Sequence, residues 1–235
     1  MKQLEKINDF KLPMGILSAD IHSDNNQIVC GCMDGVYRAD LTSRSCERIA
    51  EHDSYVSTVT LADDSTVLSA GYDGCVQWNQ LTGDHQRTVR LHNFWSWDMA
   101  VSADRRLAAS VTGQYLAGGY RYEPAPEREP SVVVFSTETG EIQFQLPHIP
   151  SVQAVAISPD GQFVAAGNIM GEIRVWNLRT GALAAKWTPS DFTSWGIIKS
   201  HCYLGGVFAM QFSPDRSELL LAGMGPMRDP MAGNG

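Results

Sequence analysis

The apolar positions of this chain fall in short alternating runs rather than in helical stripes, and each run stops at an acidic turn. Counting back from Asp24, Asp64, Asp104, Asp160 and Asp215, the residues eight, five and three places earlier are Ile16, Ala19, Ile21; Val56, Val59, Leu61; Ser96, Met99, Val101; Val152, Val155, Ile157; and Val207, Met210, Phe212. Ser96 alone departs from the apolar rule. The β-branched content, the two-residue step before the turn and the short length predict a strand at each place. A second apolar run follows the acid, as in "QIVCG", "TVLSAG" and "FVAAG", so the unit is strand, turn, strand. The acids are spaced by 40, 40, 56 and 55 residues. A period near 40, stretched twice, lies in the range of propeller and solenoid repeats. A turn that returns five times is a building part, since motifs that do chemistry are usually single.

The fourth unit, "ISPDGQFVAAG" followed by "GEIRVWNLRTG", resembles a WD40 repeat. The resemblance implies a histidine ahead of the first strand, and His52, His92 and His148 stand twelve residues before their acids. Leu12 holds that slot in the first unit and Tyr203 in the last, with His201 two places away. The Trp-Asp end of the family matches Trp176-Asn177, with weaker forms in "VQWNQLTG" and "VVVFSTETG"; Thr82-Gly83, Thr139-Gly140 and Thr180-Gly181 suit the turn into a fourth strand. The resemblance covers nearly the whole chain. It implies an all-β, WD40-like β-propeller in one domain, 1–235, with repeats near 12–51, 52–91, 92–147 and 148–200 and an incomplete one at 201–235. That makes four full blades plus a partial fifth. The third strand of the last repeat would fall on "GMGPMRDPMAG", whose prolines and glycines suit a central strand poorly. The chain is therefore expected to be part of a longer propeller, with an open strand edge through which copies associate. The alternative is a compact five-bladed ring closed by "LEKINDFKL".

Composition narrows the function. The charged share of 19% is below the usual ~25%, and 21 glycines and 11 prolines are spread along the chain, as many short turns require. No apolar run reaches the ~18 residues of a membrane span, and "MKQLEKINDFKL" has no signal-peptide core, so no membrane role is expected. Cys30, Cys32, Cys46, Cys75 and Cys202 are odd in number and irregularly spaced, which suits reduced thiols in a cytoplasmic protein. A net charge of −8, with Arg105-Arg106 the single adjacent basic pair, argues against nucleic-acid binding.

Chemical candidates each have a plainer reading. Cys30 and Cys32 share a strand face, but structural zinc wants four ligands and no second pair exists, so packed thiols and no metal are expected. Asp63-Asp64 resembles an acid/base pair and sits in a turn, where Asp is favoured by local hydrogen bonds. No nucleophile elbow, zinc-protease, P-loop, dinucleotide or EF-hand motif occurs, and no cofactor is expected. His52, Ser69, Asp73 and Trp78 hold the residue types of a nucleophile, base and acid. The family resemblance implies instead a structural relay from His to Asp to Ser or Thr to Trp. In "GYDGCVQW" the Asp-to-Trp spacing is one residue short, and Ala70 competes with Ser69 for the hydroxyl slot.

Function is expected where the repeats depart from one another. Antiparallel strands put the second-to-third turns and the links between repeats on one rim. Onto that rim open the insertion "GQYLAGGYRYEPAPEREP" at 113–130, the segment 188–205 and the link "NFWSW" at 93–97, which together hold nine of the 21 aromatic residues. Aromatics and arginine are enriched at interface cores. Trp95, Tyr120, Arg121, Tyr122 and Trp195 are the expected partner surface, whereas Trp97 is a candidate to pack under its own loop. The expected function is a non-catalytic scaffold presenting a rigid propeller surface to a protein or peptide. The alternative is a ligand-binding or enzymatic propeller with its site on the long loops or the central channel.

Overall fold

The structure, a computed structural model, describes residues 9, 11–118, 121–192 and 206–224. It is all-β. Antiparallel sheet one holds β1 (Ile16–Ile21), β2 (Gln27–Cys32), β3 (Gly35–Asp40) and β4 (Ser45–Ala50) in sequential order; sheet two holds β5 (Val56–Leu61), β6 (Thr66–Gly71), β7 (Cys75–Gln80) and β8 (His85–Arg90). Sheet three begins with β9 (Asp98–Val101) and β10 (Leu107–Val111). The hairpin β11 (Tyr115–Gly118) and β12 (Arg121–Pro124) follows, then β13 (Val132–Ser136) and β14 (Ile142–Leu146) complete the sheet. Sheet four holds β15 (Val152–Ile157), β16 (Phe163–Asn168), β17 (Ile173–Asn177) and β18 (Leu183–Trp187), and the two-stranded sheet five holds β19 (Gly206–Phe212) and β20 (Leu219–Met224). These are four full blades and a two-stranded fifth. The segment "PMRDPMAGNG", on which the fate of its third strand turns, lies outside the described residues.

The same bulge recurs in the first strand of four sheets, between Ile16 and Ser18, Val56 and Thr58, Val152 and Ala154, and Val207 and Ala209. It explains the eight-five-three pattern: the extra residue shifts the side-chain alternation, so positions eight and five fall on one face although an odd number apart. β9 starts later and lacks it. There Ser96 is fully buried and its hydroxyl meets Ser110 Oγ at 2.8 Å, which is how a polar residue occupies an apolar slot.

The cores lie between sheets. Val29, Val36 and Ile49 meet Val56, Val59 and Leu61; Leu68 and Trp78 meet Met99 and Phe135; Val111 and Val134 meet Val152 and Trp176; and Ala154 and Ile173 meet Val207. Full burial of a Val or Leu side chain is worth about 1.5–3 kcal/mol, so each blade is held chiefly by its neighbours. Hydrogen bonds stitch the innermost strands as well: Leu61 N–H and Thr60 Oγ1–H donate to Asp20 Oδ2 at 2.9 and 3.1 Å. Asp98 on β9 reaches both ways, accepting from Thr58 on β5 at 3.3 Å and from Val155 N–H on β15 at 3.1 Å.

The turn acids act within their turns. Asp24, Asp104, Asp160 and Asp215 accept the backbone N–H two residues on through Oδ1, the local bond that favours Asp there. In blade two that role belongs to Asp63, which accepts from Ser65 and Thr66 N–H at 2.7 Å. Asp64 instead accepts from Ser23 Oγ–H of blade one at 2.7 Å. Asn25, Arg105, Gly161 and Arg216 follow the acid with φ near +60°, and two of them reach the preceding blade: Arg105 donates to the Leu61 carbonyl and Arg216 to the Asp160 carboxylate.

Candidate functional site

His52 lies in the link between β4 and β5 with its side chain fully buried. Its Nδ1–H donates to Asp73 Oδ2 at 2.9 Å, and its Nε2 lies 2.9 Å from Ser69 Oγ. In a neutral imidazole that leaves Nε2 to accept the Ser69 hydroxyl. Asp73 also accepts Cys75 N–H at 2.9 Å, tying the turn after β6. Burial opposes its ionisation, but these bonds prevail and its carboxyl titrates below the usual value. Ser69, not Ala70, is thus the hydroxyl partner.

Trp78 does not join them. Ser69 pairs across the ladder with Gln77, and Trp78 pairs with Leu68, so Trp78 points from the opposite face of the sheet. Its Nε1–H donates to the Thr137 carbonyl of blade three, and Phe135 meets its ring edge-on at 5.8 Å. Trp176 of blade four pairs with Val164, four residues past Asp160 as Leu68 is four past Asp64, so both tryptophans hold the same register and the short spacing in "GYDGCVQW" does not displace Trp78.

In blades three and four the histidine loses its acid. His92 Nε2 meets Ser110 Oγ at 2.9 Å, His148 Nε2–H donates to the Ala166 carbonyl at 3.2 Å, and both Nδ1 atoms are buried without a partner. The turn acid is absent there, replaced by the insertion in blade three and Met170 in blade four. Burial pulls both imidazoles down to about 4. The insertion supplies other acids: Glu129 accepts from Asn93 N–H at 2.9 Å and Glu127 from His148 N–H at 2.9 Å, anchoring the links on either side of blade three.

The second site is on the rim that carries these links. Tyr72, in the turn after β6, stacks on Trp95 with centroids 4.6 Å apart and planes 6° from parallel; Phe94 stacks on Trp95 at 5.1 Å and 13°. Tyr55 lies against Tyr72 at 5.9 Å. Trp95 is 41% exposed, Tyr55 44% and Met33 40%. Trp97 packs beneath the group, with its Nε1–H donated to the Gly113 carbonyl at 2.9 Å. Of the expected partner surface, Trp95 therefore stands on the rim. Arg121 and Tyr122 have their backbone in β12, with side chains outside the described residues, and Tyr120 and Trp195 lie wholly outside them. Tyr72, Tyr55 and Met33 were not singled out by sequence, because each sits in a short turn or link whose composition signals only a turn.

Residues 44–78 and 140–177 match the family described as WD domain, G-beta repeat. Rat apoptotic protease-activating factor 1 is 30% identical over 174 residues, covering 73% of this chain and 12% of that protein. The WD repeat-containing protein SL1-17 of Schistosoma mansoni is 25% identical over 174 residues, 72% of this chain and 53% of its own length. Rat telomerase protein component 1 is 27% identical over 117 residues, 49% of this chain and 4% of that protein. The chain thus spans about half the length, or far less, of these curated relatives. With the matched segments falling on four-stranded antiparallel blades, the chain carries WD40 repeats.

Proposed function

We propose that this chain is a non-catalytic interaction scaffold that presents the rim around Trp95 to a protein or peptide partner. The observation that carries the reading is the stack of Tyr72, Trp95 and Phe94, held rigid by ring-on-ring packing yet exposed at Trp95. Rigid aromatic anchors bind at small entropic cost. WD40 repeats generally mediate protein–protein interactions, which supports the reading at the level of the family. The Ser69–His52–Asp73 geometry has the connectivity of a hydrolytic triad, but Ser69 is fully buried and no substrate carbonyl can approach it. The described cysteines are unpaired, which supports a reducing, cytoplasmic setting. The test is capture of a partner from the native source, repeated with Trp95, Tyr120 and Trp195 all replaced by Ala. Capture is expected to vanish with little change in melting temperature, while Asn25, Arg106 and Glu138 to Ala on the opposite rim leave it intact. Equal loss from both sets overturns the reading.

A further inference from the structure

Beside the aromatic stack lies an open hollow of about 610 Å³ whose walls include Met33, Asp53, Tyr55, Tyr72 and Trp95. We infer that this hollow receives a cationic side chain, arginine or lysine, of the partner; the inference rests on the reading above and adds the chemistry of what is bound.

Three observations point to a cation. First, the wall is apolar and polarisable: Met33, Tyr55 and Trp95 are each about two-fifths exposed. The aliphatic stem of arginine or lysine packs on such a surface while its head stays polar. Second, ring faces attract cations. Tyr72 and Trp95 cover each other by stacking, so the more open ring is that of Tyr55, tilted 44° from Tyr72. Third, the wall carries an exposed carboxylate, Asp53, and no lysine or arginine. His52, which also lines the hollow, directs both ring nitrogens inward to Asp73 and Ser69. A neutral apolar side chain would gain nothing from Asp53, and an acidic one would be repelled. The side chain that uses both the carboxylate and the apolar wall has a long hydrocarbon stem and a positive head.

The test uses three short peptides, acetyl-Gly-Arg-Gly-amide, its lysine counterpart and its citrulline counterpart, titrated into the ¹⁵N-labelled full chain while following the Trp95 indole N–H signal. Saturable shifts are expected with the arginine and lysine peptides. Citrulline, which keeps the shape and loses the charge, is expected to bind at least tenfold more weakly. Asp53→Asn, an exposed change that leaves the fold in place, is expected to weaken the arginine peptide about fivefold, and Tyr55→Leu by a similar factor. Equal binding of citrulline, or an unchanged affinity in both variants, overturns the inference. If the rim variants abolish partner capture while the arginine peptide gives no saturable shift, the scaffold reading stands and the cation hollow falls. If the peptide binds through Asp53 and Tyr55 while capture ignores the rim variants, the hollow stands and the proposed partner surface falls.

Discussion

His52 is held at both ring nitrogens, and its removal leaves Asp73 buried beside Ser69 with no imidazole between them. His52→Ala is expected to cost about 1–3 kcal/mol, read as a drop in the midpoint of urea unfolding, with partner capture unchanged. An unshifted midpoint would show that these bonds add nothing to stability. His92 and His148 behave differently, because burial without an acid lowers both to about 4. An unfolded histidine titrates near 6.5, so the unfolded chain binds more protons between those values. Stability from these two residues is full above pH 6.5 and is lost as pH falls toward 4, by roughly 3 kcal/mol per histidine at the acid end. Asp98 works against them. Burial raises it to about 6 despite three hydrogen bonds, so the folded chain takes up a proton first and gains stability as pH falls through 6. Two histidines outweigh one aspartate, and unfolding midpoints are expected to decline from pH 6.5 to pH 4.5. His92→Gln should flatten that decline, and an identical slope would contradict the assignment. These titrations could be anticipated only in part: the absence of an acid opposite His148 is visible as Met170, whereas burial of Asp98 comes from three blades meeting around it.

At the scale of the element, the repeated strand pair was readable because buried faces are refilled in every copy. What escaped was parity. The bulge in four of the five first strands is invisible in the pattern except as an odd spacing, and Asp63 rather than Asp64 serves the turn of blade two because two adjacent acids look alike until the backbone chooses between them. The rim cluster escaped for another reason: Met33, Tyr55, Tyr72 and Trp95 come from four separate connections that only blade packing brings together. Close approach of blades also sets the demand on Gly167 in β16. A Cβ there would stand 2.8 Å from Val207 Cβ and from Met210 Cε. Methionine can swing aside, but the valine root cannot. Gly167→Ala is therefore expected to destabilise by about 1–3 kcal/mol, and Gly161→Ala, with nothing within 4 Å, to cost less despite its positive φ. The reverse order of melting shifts would place the constraint in the backbone rather than between blades.

Across the whole molecule, the face of blade one makes a clear contrast with its repeats. Val56, Leu61 and Val152 are buried by the preceding sheet, whereas the matching Ile16 and Ile21 are 52% and 50% exposed. Among the described residues no sheet packs on them. At the other end Phe208 and Leu220 are exposed at 42% and 72%. Apolar faces of this kind associate. The 235-residue chain is expected to sediment as concentration-dependent oligomers, which Ile16→Asp with Ile21→Asp should reduce; a sharp wild-type monomer would contradict this. The placement of the cores between sheets, and not within them, has a consequence for how damage spreads. A flaw in one interface weakens two blades directly and the next only through them, so the molecule responds to injury as a row of linked cells and not as one undivided body. Blades two to four answer to two neighbours each, while blade one, among the described residues, answers to one. The cation hollow, with walls from the first three blades, straddles that boundary, so its shape depends on blade one, supported from one side, staying docked.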